Sequence, residues 1–347
     1  MIAARARAVA WSGATVGVLV LAACAHDGRT TILVYSPHGK ELLQDVATRF
    51  ERAYPHVHVE WEDMPSQTVL DRVRAEAPNP QADIWFGAPS DLFARAARDG
   101  LLDPFTPSWA AEVPPEAHDS AERWYGTYLT PEVIGYNSQL VPDSVAPKDW
   151  DDLLLPRWRQ KIILRDPVES GSMKEVFGAI LARSVAATGS TAAGWQWLRR
   201  LDKSTKEYAF QPTVLYQKLG RGEALVTIYN MPDLATLEQR VHIPVKFAIP
   251  TSGTPLVVDA IAVVHGTHHV AEAQWFEEFV GTPAMLLVAA RDHLRIPARI
   301  DLADDSLPGW IRMARRQIRP LPIDRALLAD SLDSWMQYWD AHVRRGG

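Results

Sequence analysis

Short apolar runs alternate with amphipathic helical runs along this chain, and this alternation limits the possible folds more than any other feature. Residues 31–35 form a β-branched and aromatic run that predicts a buried strand, and helical spacing follows at Leu42, Leu43, Val46, Ala47 and Phe50. The same order returns at residues 83–86, which precede a helical run at 90–98. Strands that alternate with helices predict an α/β layer built on a mainly parallel sheet. In such sheets, ligands bind beyond the carboxyl ends of the strands, often at helix N-termini.

The size and charge of the chain narrow the function classes. At 347 residues, the chain has room for about two domains, each able to bury its own core. The formal net charge of −6 argues against non-specific binding to nucleic acid, because that binding needs a basic surface that displaces counterions from phosphates. We therefore expect no nucleic-acid partner.

The amino-terminal residues have the pattern of an export signal. Arg5 and Arg7 supply a positive start, and residues 8–21 are an uncharged, mostly apolar run that is too short for a comfortable membrane span. Small residues precede Cys24, the only cysteine, and this boundary resembles a bacterial lipobox. It predicts a lipoprotein signal peptide over residues 1–23, lipidation of Cys24 and a tether over residues 24–30; an ordinary signal peptide with an unmodified cysteine is the alternative. We expect an exported protein, lipid-anchored to the cell envelope on its periplasmic or cell-surface side.

Two regions of the chain are suited to crossings between two lobes. Residues 126–129 and 133–137 are strand-like runs on either side of Thr130 and Pro131. Residues 255–264 form a long apolar stretch that only Asp259 interrupts. We expect crossings near Thr130 and near Asp259, which divide the chain into residues 31–128 plus 261–347 as one lobe and residues 129–260 as the other.

A second polar loop opens a second long helix. Residues 161–164 predict a strand, the polar loop 165–172 follows, and an apolar helical face begins at Met173. Ser172 and Glu175 have the spacing of a capping box, so we expect Ser172 to cap this helix. Further along, the strand-like residues 224–229 present Tyr229 and Asn230 at their carboxyl end.

The sequence lacks the motifs of common catalytic and cofactor sites. It contains no dinucleotide-binding glycine pattern, no phosphate-loop Gly-Lys-Ser/Thr, no zinc-type pair of histidines, no paired cysteines and no nucleophile elbow. We interpret the cluster of His265, His268 and His269 as a solvated turn, because no cysteine or carboxylate lies at ligand spacing. We therefore expect no enzymatic activity and no cofactor.

Several pieces of the sequence, in order along the chain, resemble one family. They are the lipobox at Cys24 and residues 35–41, 148–153, 156–158, 161–162, 166–167, 170–172, 222–224 and 295–299. Together they look like extracellular solute-binding proteins of bacterial ABC importers, most of all the branch of ferric-iron, phosphonate and hexose-phosphate binders. The resemblance implies a two-lobe, type II periplasmic-binding fold with two hinge crossings and a ligand cleft between the lobes. It also implies a membrane permease as partner and no catalysis, and we expect a monomer.

Within that fold, two polar loops that open helices are suited to an anion. Backbone N–H groups, hydroxyls and helix dipoles at such loops hold phosphate or phosphonate groups, although simple helix capping is the alternative role. We therefore expect a small anionic solute, either a phosphorylated sugar or an organophosphonate. The expected ligand-binding residues are Ser36, His38 and Gly39 from one lobe, Glu169, Ser170, Gly171 and Ser172 from the other, Gly87 and Ala88 for close backbone approach, and Tyr229, Asn230 and Asp259 for hydroxyl or amine groups.

Three other functions stay open at this point. A ferric-iron or other metal receptor of the same class would use His38, Tyr229 and Asp259, although ferric binders of this branch typically have two adjacent tyrosines and this chain has Tyr229 beside Asn230. A secreted two-lobe enzyme would need a nucleophile, a base and an electrophile in one cleft, and the sequence supplies no recognisable set. A tethered sensor or scaffold would need a large exposed apolar patch for a protein partner.

Overall fold

The computed structural model describes residues 28–344. The predicted signal peptide over residues 1–23, the lipidation site Cys24 and the next three residues of the tether lie outside the described residues. Thr30, which was expected in the tether, is already the first residue of a strand. No helix in the described part of the chain is long and apolar enough to cross a membrane.

Residues 28–344 form eleven strands and eleven α-helices. The strands are β1 (Thr30–Ser36), β2 (Val57–Asp63), β3 (Ile84–Pro89), β4 (Leu102–Asp103), β5 (Tyr125–Asn137), β6 (Ile162–Arg165), β7 (Thr205–Ala209), β8 (Val226–Asn230), β9 (Val245–Ala248), β10 (Leu256–Val264) and β11 (Ile296–Pro297). The helices are α1 (Lys40–Ala53), α2 (Ser66–Glu76), α3 (Ser90–Arg98), α4 (Gly171–Thr188), α5 (Ala192–Ser204), α6 (Pro212–Gly220), α7 (Met231–Gln239), α8 (Val270–Val280), α9 (Pro283–Asp292), α10 (Gly309–Gln317) and α11 (Arg325–His342).

Helix α1 shows how the apolar spacing of the sequence sets the packing. Its five predicted apolar residues are all buried, in one cluster with Ile32 and Val34 of β1. The Leu, Val and Phe side chains contribute about 1.5–3 kcal/mol each when they are removed from water, so the buried stripe holds the helix against the sheet. The helix starts directly after Gly39, and its first turn therefore lies at the carboxyl end of β1.

The sheet is mixed. The strand order is β2-β1-β3-β10-β5-β8-β6-β7, with β4 on β10 and with β9 and β11 on β5. Strand β1 is parallel to β2 and β3, and β6 is parallel to β7 and β8. All pairings of β5 and β10 are antiparallel, so the prediction of a mainly parallel sheet is wrong. Strand and helix alternation is a local pattern, and it does not reveal the direction in which two long strands return across the sheet.

Strand β5 is a single element of 13 residues where the sequence predicted two runs. Its first part pairs with β10 up to Pro131, and from Glu132 onward it pairs with β8. Pro131 lies where the strand changes partner, so its missing N–H removes only one ladder bond at that position. The pair of β5 and β10 therefore lies between the two groups of parallel strands.

The carboxyl-terminal helix packs on the second half of the protein. Leu328, Leu332, Met336 and Trp339 of α11 belong to the same buried cluster as Phe177 of α4. Gly178 permits this packing, since a Cβ there would overlap the side chains of Leu328 and Leu332. The sequence analysis grouped residues 261–347 with the first lobe, and α11 makes its apolar contacts elsewhere. The lobe boundaries themselves stay a prediction.

Candidate functional site

A cleft of about 530 Å³ lies at the carboxyl ends of the parallel strands. Ten of the twelve predicted ligand-binding residues line it: His38, Gly39, Ala88, Glu169, Ser170, Gly171, Ser172, Tyr229, Asn230 and Asp259. The cleft walls also include Pro37, Asp63, Met64, Pro65, Ser66, Pro89, Thr130, Arg165, Phe210, Gln211, Pro212, Tyr216, Asp233 and Arg295. Residues far apart in sequence therefore meet in one cleft of a size typical for small ligands.

The other two predicted residues, Ser36 and Gly87, support the wall instead of lining it. The Ser36 hydroxyl is fully buried and accepts a hydrogen bond from the His38 backbone N–H at 3.1 Å. Gly87 has φ +89°, and a Cβ there would overlap the His38 ring. The Gly87 backbone was expected to lie close to the ligand, whereas in the structure the His38 imidazole packs against it. Ala88 beside it has φ +101°, a costly conformation for a residue with a Cβ.

Within residues 28–344, six helices begin at residues of the cleft wall, and the starts of α1 and α4 are the two that follow the predicted polar loops. Gly39 precedes α1 and has no side chain that could cap the helix, and the Gly39 N–H donates to the Asp63 carboxylate. At α4 the cap is Ser170, whose hydroxyl accepts a hydrogen bond from the Met173 N–H, and the predicted capping box led by Ser172 is wrong. Ser172 is the second helical residue; it lines the cleft, and its hydroxyl lies next to the buried Glu132 carboxyl. Both helix dipoles place partial positive charge at the cleft wall.

Two arginines line the cleft. Arg165 donates hydrogen bonds to the carbonyl oxygens of Ala209 at 3.2 Å and Phe210 at 3.0 Å, which hold its guanidinium against the loop after β7. Arg295 lies 3.6 Å from an Asp233 carboxylate oxygen, and its buried Nε has no hydrogen-bond partner among the described residues. The predicted site contained neither of them.

Four carboxyl groups line the same cleft, those of Asp63, Glu169, Asp233 and Asp259. The Asp259 side chain accepts a hydrogen bond from the Thr130 hydroxyl at 2.6 Å, and burial raises the pKa of Asp259 to about 6 against the opposing effects of Thr130 and Arg295. Burial also raises the pKa of Asp63, while the Gly39 backbone N–H opposes this rise. Acidic groups therefore outnumber guanidinium groups on the cleft wall.

A further carboxyl lies under the cleft floor. Glu132 pairs across the sheet with Asn230, a cleft residue, so the two side chains project from the same face. It is 0 % exposed, neither of its carboxyl oxygens has a well-formed hydrogen bond in the described part of the chain, and the Ser172 hydroxyl faces it closely enough to lower its pKa. Burial raises the pKa of Glu132 well above its ordinary value, and nearby Asp233 and Asp259 add to the rise. Its burial therefore favours the protonated form of Glu132.

Tyr216 of α6 and Tyr229 of β8 lie side by side on the cleft wall. The Tyr216 hydroxyl lies 3.0 Å from the Tyr229 hydroxyl and 3.1 Å from an Asp233 carboxylate oxygen. Asn230 caps α7 by accepting a hydrogen bond from the Asp233 N–H at 2.8 Å. Burial raises the pKa of both phenols, so both are neutral. Tyr216 is the second phenol that the sequence analysis did not find beside Tyr229.

His38 is a neutral group in this site. Its pKa lies well below the ordinary value because the ring is buried and Arg295 is nearby. The ring packs edge-on against Phe86 and Tyr128, and its Nε2 has no hydrogen-bond partner among residues 28–344. It contributes shape and no charge to the cleft.

Residues 36–285 match the sequence profile of the bacterial extracellular solute-binding proteins. The chain belongs to this family. The resemblance inferred from the sequence is confirmed, and so is the predicted α/β, two-lobe periplasmic-binding fold. A solute-binding protein of this family serves an ABC importer: it binds a small solute outside the cytoplasm and works with a membrane permease. The family consists of transport proteins, not enzymes.

Two relatives and one solved structure are similar to this solute-binding protein. It is 25% identical over 346 residues to the probable ABC transporter periplasmic-binding protein y4fP of Sinorhizobium fredii, covering 97% of this chain and 93% of that one. It is 26% identical over 178 residues to a Salmonella typhimurium protein provisionally named as a 2-aminoethylphosphonate-binding periplasmic protein, covering 51% and 50%. The structure of a ferric binding protein from Campylobacter jejuni has a TM-score of 0.77 and 18% identity, covering 89% and 98%.

The sequence contains little that marks the other cleft residues as functional, namely Arg165, Arg295, Tyr216 and Asp233. Arg165 begins the polar loop that was singled out, and Arg295 begins the conspicuous run 295–299. An arginine in a loop is ordinary on a protein surface, so neither stood out. Tyr216 and Asp233 belong to helices whose cleft-facing side the sequence does not mark.

Proposed function

We propose that this solute-binding protein captures a small anionic solute with a phosphoryl or phosphonyl group, such as a phosphorylated sugar or an organophosphonate, for import. The observation that carries the proposal is the meeting of two helix N-termini in one cleft. Gly39, which precedes α1, has no side chain that could cap that helix. The start of α4 lies beside Pro89, the last residue of β3, since a Cβ on Gly171 would be 3.3 Å from Pro89. Backbone N–H groups and dipoles from both helices are suited to a tetrahedral oxyanion.

Hydroxyl and guanidinium donors complete this anion site. Ser172 adds a hydroxyl at the start of α4, and Arg165 and Arg295 line the cleft between the helices. Hydrogen bonds from such groups to a charged oxyanion contribute about 1.5–3 kcal/mol each. The name of the Salmonella relative supports a phosphonate as the solute.

We further propose that ligand binding closes two lobes about β5 and β10. The lobes would comprise residues 31–128 plus 261–347 and residues 129–260, except that the packing of α11 favours its assignment to the second lobe. A solute that touches both walls has more contacts in the closed form, and it shifts the equilibrium by that difference in affinity.

Thermal unfolding in the presence of a chelator tests the anion site. A bound phosphorylated or phosphonated compound at about 100 times its dissociation constant adds about 2.7 kcal/mol to the stability of the folded protein. Replacing Arg165 by Ala is expected to weaken binding roughly tenfold or more. The matched control is Arg159→Ala, because Arg159 is exposed and is not a cleft residue. Equal losses in both variants would argue against the proposed anion site.

A ferric-iron receptor is the second candidate, and the pair of Tyr216 and Tyr229 favours it. Two phenol oxygens 3.0 Å apart with Asp233 beside them form the kind of hard oxygen donor set that Fe(III) prefers. This candidate predicts a visible tyrosinate-to-iron absorption on adding ferric citrate, and its loss in Tyr229→Phe. It also predicts no response to phosphorylated compounds under chelator, which is the opposite of the anion proposal.

We propose an exported monomer without catalytic activity that is anchored by a lipid on Cys24. Labelling with a palmitate analogue is expected for the wild type and not for Cys24→Ser, which moves to the soluble fraction. An unlabelled wild type contradicts the anchor. Turnover of phosphate esters by the purified protein contradicts the absence of catalysis.

A further inference from the structure

The charge on the cleft wall is the wrong sign for a solute that is only an anion. Four carboxyl groups face two guanidinium groups there, and His38 is neutral. A phosphoryl dianion in this cleft lies near carboxyl groups as well as near guanidinium groups and helix N-termini, and low local dielectric strengthens its repulsion from ionised carboxylates. A solute that also carries a cationic group removes this conflict.

The positive and negative groups of the cleft are not all paired with one another. Arg295 lies within ion-pair distance of Asp233. Asp259 has no cation within 4 Å among the described residues, and only one of its two oxygens has a hydrogen bond, the one from Thr130. The Asp259 side chain is 9 % exposed and lines the cleft, so its second oxygen is an unpartnered acceptor at a nearly buried position.

The surroundings of Asp259 are suited to an organic cation. Thr130 and Glu132 are two residues apart on β5, so their side chains project from the same face next to Asp259. This floor offers a carboxylate and a hydroxyl above a buried carboxyl, which are acceptors for the three N–H donors of an ammonium group. No group of three or more His, Cys, Asp or Glu residues in the described chain could hold a metal ion.

We propose that the solute is a zwitterion, whose ammonium group binds Asp259 on the cleft floor while its phosphoryl or phosphonyl group binds at the N-termini of α1 and α4. This inference rests on the proposed function, since the anionic end of the solute occupies the anion site. Asp259 then determines specificity, because it separates amino compounds from their deaminated analogues. The neutral analogue offers Asp259 no cationic group, so it leaves this carboxylate without an ion-pair partner within 4 Å and is expected to bind more weakly.

Matched pairs of ligands test the proposal on the wild-type protein by isothermal titration with chelator present. The pairs are 2-aminoethylphosphonate with ethylphosphonate, phosphoethanolamine with ethyl phosphate, and glucosamine 6-phosphate with glucose 6-phosphate. In the pair that fits the cleft, the amino member is expected to bind at least tenfold more tightly. If the deaminated member binds as tightly in every pair that binds, the zwitterion proposal is wrong while the anion site stands. If no member of any pair binds, both proposals fail.

The Asp259→Asn variant tests whether Asp259 causes the preference for the amino member. Asp259→Asn keeps an oxygen that accepts from Thr130 and removes the charge. It is expected to reduce the affinity for the amino member at least tenfold and to leave the deaminated member unchanged or bound more tightly. The control is Asp63→Asn, which removes another cleft carboxylate and is expected to keep the preference for the amino member. Loss of the preference in Asp63→Asn alone would overturn the assignment to Asp259.

Discussion

Replacing Asp259 by Asn is expected to stabilise the unliganded protein, and the gain depends on pH. The pKa of this carboxyl is about 6 in the folded protein and 3.8 without the fold, so the folded form holds the proton to higher pH. As pH rises from about 4 through 6, the unfolded chain loses its proton first, and the stability of the wild type falls. Asn has no proton to lose, so the variant keeps its stability.

The magnitude follows from the size of the shift. A difference of about two pKa units corresponds to about 3 kcal/mol, since each unit is about 1.4 kcal/mol. This full difference is present above about pH 7 and vanishes near pH 4. At pH 8 it corresponds to a rise in Tm of roughly 4–5 °C for a chain of this length.

Urea unfolding followed by tryptophan fluorescence at pH 5, 6, 7 and 8 measures this difference between Asp259→Asn and the wild type. The control is Asp143→Asn, because Lys246 and Tyr136 lower the pKa of Asp143, and its charge is favourable in the folded state. That variant is expected to show no gain at any pH. A difference for Asp259→Asn that stays flat from pH 5 to 8, or a less stable Asn variant at pH 8, refutes the reasoning.

Three other substitutions test single contacts through the free energy of unfolding. Gly87→Ala is expected to reduce the free energy of unfolding by about 2–4 kcal/mol, because a Cβ overlaps the His38 imidazole and the residue has a positive φ. Gly100→Ala is the control, since it has open space at a similar φ and is expected to cost less. Equal costs in the two variants would contradict the overlap. Ser170→Ala is expected to reduce the free energy of unfolding by about 1 kcal/mol, because it removes the cap of α4, and Ser172→Ala is expected to reduce it by less than half of that. The reverse order would assign the cap to Ser172. Glu132→Gln is expected to be as stable as the wild type or more stable between pH 6 and 9, whereas a marked loss would indicate an ionised, paired Glu132.

The sequence predicted the local elements well because their causes are local. The apolar spacing from Leu42 to Phe50 fixed α1, and the run of residues 31–35 fixed β1 apart from its first and last residues. The break expected at Thr130 and Pro131 is absent, because a proline can stay in a strand where that strand changes partner. The direction of β5 and β10 depends on partners distant in sequence, which local patterns do not contain.

The candidate site was predictable where it lies on loops after strands. Ten expected residues line the cleft because strand ends and helix starts converge at one edge of the sheet. Arg165, Arg295 and Tyr216 could not be predicted from local pattern, since what distinguishes them is their neighbours in space. Ser170 and Ser172 differ by two positions, and only the backbone geometry shows which of them caps the helix.

If the two proposed lobes close about β5 and β10, strand β5 sets an order of events for solute entry. Thr130 lies one or two residues from the point where β5 passes from β10 to β8, and its hydroxyl holds the Asp259 side chain at the same place. When two bodies rotate about an axis, points beside the axis keep their separation and distant points travel. In the proposed closure, the floor around Asp259 would keep nearly the same shape in open and closed forms, and contacts farther from β5 would form as the lobes come together. We expect a solute to contact the floor first, at a rate set by diffusion, and to complete its anion contacts in a slower, concentration-independent step.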